Sequence, residues 1–89
     1  MRDRDISVEY IGGNCPVQAE GSIGGEPFYF RARGQRWSMS IGGADVVGNP
    51  KWYHEEPWGD TEFGAGWMPQ HEALALMARA FGIYESQHD

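Results

Sequence analysis

Eighty-nine residues with a formal net charge of −6 make one domain, and that charge argues against nucleic acid as the main partner, because gripping phosphates needs a basic footprint. At 40% hydrophobic and 13% aromatic the chain is too apolar to stay disordered, yet no apolar run approaches the roughly 18–20 residues of a membrane span. A single cysteine, Cys15, leaves no internal disulfide to form and fits a reducing compartment.

The start, Met1-Arg2-Asp3-Arg4-Asp5, is charged and no apolar signal core follows, so a cytoplasmic setting is the expectation. A chain of this size buries only about 60–65% of its unfolded surface. That supports a modest core and no deep cofactor pocket, and no cofactor is expected. Charge is divided unevenly. Residues 1–44 hold five acids and five bases, whereas residues 45–89 hold eight acids against Lys51 and Arg79. A basic protein partner would meet the second half.

Four segments alternate with period two, the signature of a sheet buried on one face. In 6–11, Ile6, Val8 and Tyr10 share a side. Gly12-Gly13-Asn14 ends this strand, and Pro16, which cannot donate to a ladder, delays the next. In 17–23, Val17, Ala19, Gly21 and Ile23 oppose Gln18, Glu20 and Ser22. In 27–33, Phe28, Phe30 and Ala32 oppose Tyr29, Arg31 and Arg33; in 36–41, Trp37, Met39 and Ile41 oppose Arg36, Ser38 and Ser40.

The connectors are hairpin turns. Gly24-Gly25 fits a type I′ loop and Gly34-Gln35 a type II′ loop with glycine first. The first turn pairs Ile23 with Glu26, and hence Gly21 with Phe28. The second pairs Arg33 with Arg36, and hence Ala32 with Trp37. Both registers put the apolar sets on one face, whereas a one-residue slip would put them on opposite faces.

Residues 42–67 read as a long acidic loop carrying Trp52, Tyr53, Trp58, Phe63 and Trp67, with a short strand near Trp52–Glu55 as an option inside it. Loops this long are functional or disordered, and five aromatics argue against disorder. From 69 to about 84 the spacing predicts a helix. Pro69 and Glu72 suit its first turn, and Ala73, Leu74, Leu76, Met77, Ala80, Phe81, Ile83 and Tyr84 form its apolar half. The expected fold is α+β: an antiparallel three- to four-stranded meander with one C-terminal helix packed on its apolar face.

Three groups of side chains stand out. His54, Glu55, Glu56, Asp60 and Glu62 are the densest set of potential ligands. A hard cation takes several carboxylates, but the spacing matches no metal motif and a solvated acidic loop is the plainer reading. Cys15 has no local histidine to activate it. A small enzyme or metal-dependent domain built on His54, Glu55, Glu56 and Asp60 is therefore the alternative rather than the first choice.

Tyr29, Arg31, Arg33 and Arg36 converge on the outer face of the sheet, with Arg33 directly opposite Arg36. Like charges so placed repel. The plainer reading has Glu20, across from Tyr29, relieving part of the repulsion; the functional one is contact with an anion or an acidic protein.

The aromatic acidic loop is the first choice for a contact surface. Trp, Tyr and Arg dominate interface hot spots, which selects Trp52, Tyr53 and Trp58, and Glu55, Glu56, Asp60 and Glu62 would steer a basic partner towards them. Against this, some of the rings can simply complete a small core, as Trp67 beside the helix start does most readily.

The stretch Cys15-Pro16-Val17-Gln18-Ala19-Glu20-Gly21, followed by Pro27-Phe28-Tyr29-Phe30-Arg31-Ala32-Arg33-Gly34, resembles small bacterial and phage proteins. In size and charge the chain resembles acidic inhibitors of the anti-CRISPR kind. That resemblance implies a non-catalytic module that binds a Cas effector or another nucleic-acid-handling protein, with carboxylates standing in for phosphates on a basic surface. It transfers no site residues. A structural homo-oligomeric subunit, joined through the aromatic loop, is the further alternative.

Overall fold

Two glycine turns set the register of the sheet. In the computed structural model, which describes residues 5–13, 16–58 and 68–88, the chain runs β1 (Ile6–Gly12), β2 (Val17–Ile23), β3 (Glu26–Arg33), β4 (Arg36–Ile41), β5 (Trp52–Pro57) and α1 (Gln70–His88). Gly24 and Gly25 have φ of 57° and 85°, and Gly34 has 65°. These are the left-handed values that two-residue hairpin loops require. Gly21 accordingly lies opposite Phe28 and Ala32 opposite Trp37, the registers expected from the turns. The sheet is a five-stranded antiparallel meander in the order β1-β2-β3-β4-β5.

The inward side chains of β2, β3 and β4 meet α1. Phe28, Phe30, Trp37, Met39 and Ile41 are buried from the sheet, and Ala73, Met77, Ala80, Phe81 and Tyr84 from the helix. Each large side chain so buried contributes roughly 1.5–3 kcal/mol. Phe28 meets Phe81 edge-on with ring centroids 5.0 Å apart, and Phe30 stacks on Trp37 at 5.9 Å. The fold is α+β, with the helix on the apolar face.

Four details correct the reading from sequence. There are five strands, not three or four, because the short strand allowed near Trp52–Glu55 inside the 42–67 segment is a full edge strand, Trp52–Pro57. The remaining connection is a folded-back segment. Gly42 N–H donates to the Pro27 carbonyl at 2.8 Å, Lys51 N–H to the Gly42 carbonyl at 3.2 Å, and Asn49 N–H to the Asp45 carbonyl at 2.7 Å.

The helix runs to His88, one turn past the expected end. Its covered stripe is narrower than expected, leaving Leu74 45% exposed. In β1, Val8 pairs with Gly21 but Tyr10 with Glu20. Glu9 is therefore an extra, bulged residue. The bulge sends Tyr10 to the outer face and turns Ile11 inward.

Ile6 and Val8 of β1 stay exposed and line an open apolar groove with Leu74, Met77 and Phe81 of α1. No helix among the described residues is long and apolar enough to cross a membrane.

Candidate functional site

β5 divides the sequence-predicted contact residues between the two faces of the sheet. Trp52, His54 and Glu56 lie opposite Ile41, Met39 and Trp37, on the helix side; Tyr53 and Glu55 lie opposite Ser40 and Ser38, on the open side. Period-two alternation makes this division unavoidable once the strand forms.

On the helix side the three residues form a polar and aromatic seam. The Trp52 ring meets Tyr84 edge-on at 5.3 Å and stacks on His54 at 5.7 Å, while its indole N–H donates to Gln87 Oε1 at 2.6 Å. Glu56 Oε2 lies 2.7 Å from His54 Nε2. Arg79 Nε–H of α1 reaches both Glu56 oxygens, at 3.1 and 3.0 Å. The bond from Arg79, with that from His54, holds the Glu56 carboxyl below its ordinary range. Arg79 and Gln87 were not singled out from the sequence. Their signal was weak: Arg79 is the one base inside the helical segment, and Gln87 lies beyond its expected end.

On the open side a different set converges. Arg31, Arg33, Arg36, Ser38, Tyr53 and Glu55 line an open hollow of about 480 Å³ beside the β3–β4 turn. Register explains the gathering. Arg33 pairs with Arg36 and Arg31 with Ser38, and Ser38 pairs in turn with Glu55. Arg36 Nη1–H donates to Glu55 Oε2, and the Tyr53 hydroxyl donates to Glu55 Oε1 at 2.8 Å. The Tyr53 bond, then the Arg36 bond, depress the Glu55 carboxyl.

Burial, then the bond to Glu55, raises the Tyr53 phenol above its usual value. Burial likewise raises Tyr29, whose hydroxyl donates to Gln18 Oε1 at 2.7 Å. Both phenols therefore stay neutral donors at neutral pH. Ser40, between Tyr29 and Tyr53 in the same cross-strand row, is buried on the open face.

The arginines and the acidic segment, separate surfaces in the sequence, are thus partly one surface. The relief for Arg36 comes from Glu55 on the next strand, whereas Glu20 lies opposite Tyr29. Arg31 and Arg33 make no ion pair with any described residue.

Trp58 is partly buried against the core and its backbone N–H donates to the Gln35 carbonyl at 2.7 Å. Asp60, Glu62 and Cys15 lie outside the described residues. The set His54, Glu55, Glu56 is not one cluster, since Glu55 faces away from the other two. Among the described residues no group of three or more His, Cys, Asp or Glu is placed to hold a metal ion. Comparison of the chain with family models, with curated proteins and with solved structures found no match.

Proposed function

We propose that the chain is a non-catalytic protein-binding module whose contact surface is the open face of the sheet. The observation that carries this reading is the hollow, where three arginines, a tyrosine and a glutamate from three strands meet on a face that the helix leaves bare. Tyr and Arg are the side chains most enriched at interface hot spots. Holding them on paired strands lowers the ordering cost of binding. Tyr29, Arg31, Arg33, Arg36, Tyr53 and Glu55 are the contact residues of this reading. Trp52 and Glu56 are spent on the seam with α1.

A second reading keeps the resemblance to anti-CRISPR inhibitors, with a basic Cas effector or nuclease as the target. Charge favours it, because the whole net charge of −6 lies in residues 45–89. The two readings differ in which substitutions release the partner. Tagged protein is used to capture partners from bacterial lysates that contain CRISPR effectors, with mass spectrometry of what remains. Under the first reading, Arg33→Glu with Arg36→Glu abolishes capture, and neutralising Glu56, Asp60 and Glu62 leaves it intact. Under the inhibitor reading the pattern reverses and the captured protein is basic. A partner retained by both variants contradicts both readings.

A further inference from the structure

We infer that the hollow on the open face is a subsite for one anionic group, a carboxylate or a phosphate monoester carried by the protein partner, and that Glu55 is its built-in placeholder. Three observations converge. Arg33 and Arg36 are directly opposed across β3 and β4, an unfavourable like-charge placement that an anion reaching both would relieve. Arg31 and Arg33 have no ion-pair partner among the described residues. Glu55 reaches the hollow from β5 and already occupies Arg36.

An arginine fork binds a carboxylate or phosphate in two parallel hydrogen bonds. An exposed ion pair such as Arg36 with Glu55, whose side chains are 71% and 32% exposed, is weak and readily exchanged. An incoming anion that meets Arg36, Arg31 and Arg33 together gains more than Glu55 loses. Glu55 then retains the Tyr53 hydroxyl, 2.8 Å from its other oxygen. The net charge of −6 disfavours a polyanion such as nucleic acid at long range and leaves a single anionic group as the ligand that fits.

This inference rests on the binding-module reading only for what carries the group, so it is tested without a partner. Sodium acetate and inorganic phosphate are titrated separately, at constant ionic strength, into the isotope-labelled chain, with backbone and arginine side-chain resonances followed by NMR. At least one anion is expected to give saturable shifts confined to residues 31–38 and 53–55. The anion that saturates identifies the group as carboxylate or phosphate. Glu55→Gln, which removes the competing charge, is expected to tighten binding by about two- to fivefold, the worth of an exposed pair. Arg33→Gln should weaken it by at least as much.

Linear or scattered shifts with both anions overturn the inference, and so does a Glu55→Gln variant that binds no more tightly than the parent. Failure here would leave the binding module standing, because capture of a partner on the open face does not require the anion.

Discussion

Glu55 and Glu56 are adjacent in the chain and face opposite ways, and their two carboxylates do different work. Glu56 joins β5 to α1 through Arg79 and His54, and its pKa is depressed by those partners. The sign of the pH dependence follows. A carboxylate whose folded-state pKa lies below its unfolded value of about 4.3 contributes stability above that value, and the contribution is lost as pH falls through the folded pKa.

Glu56→Gln should therefore be less stable than the parent at pH 7, by up to about 1 kcal/mol for a pair this open to solvent. For a chain of this length that is at most about 4–8 °C in Tm. The difference should shrink as pH falls below about 4, where the parent loses the same charge. Thermal melts of both proteins from pH 7 to pH 3 check this. A gap that stays constant over that range would mean that Glu56 acts through packing and not through its charge.

At the scale of elements, two glycines test the fold in opposite directions. Gly21 sits inward between Val8 and Phe28. A Cβ there would strike the Ser7 carbonyl oxygen and lie 2.9 Å from Phe28 Cε2. Gly21→Ala should cost about 1–3 kcal/mol as the neighbours shift, and faster amide exchange in β1 would show where the strain goes. Gly82 is mid-helix, exposed, with no atom within 4 Å of an added Cβ. Gly82→Ala should raise stability by about 0.8–1 kcal/mol, the difference in helix propensity, as a denaturant midpoint would report.

The elements also show what a sequence can disclose. β2, β3 and β4 were legible because glycine turns and apolar alternation agree on one register, and that agreement has no cheap alternative. β5 was only half legible. Its inward positions after Trp52 are His54 and Glu56, so period two in hydrophobicity vanishes just where Arg79 makes polar residues acceptable inside. The pooling of Tyr53 and Glu55 with the arginines was invisible for the same reason: it needs β5 paired to β4 before any face can be assigned. The bulge at Glu9 was equally silent, since Ile6, Val8 and Tyr10 alternate perfectly in sequence and only pairing with β2 shows the skipped residue.

For the whole molecule, helix α1 decides which surfaces of the sheet are left open. It occupies the apolar face of a five-stranded sheet and leaves the other face to polar and aromatic side chains. Both edges of the sheet are blunted against further pairing. Glu9 bulges from β1, and β5 ends in Glu55, Glu56 and Pro57, devices that discourage strand addition. On the proposed reading, recognition falls to side chains on the open face, where the arginine hollow lies within a chain that is acidic overall.

The most direct measurement is an amide hydrogen-exchange footprint of the chain alone and bound to its captured partner. Slowed exchange over the β3–β4 hairpin and β5, with α1 unchanged, is the expected result. Slowed exchange confined to α1 and β1, with the hairpin unaffected, would contradict the assignment of the open face as the binding surface.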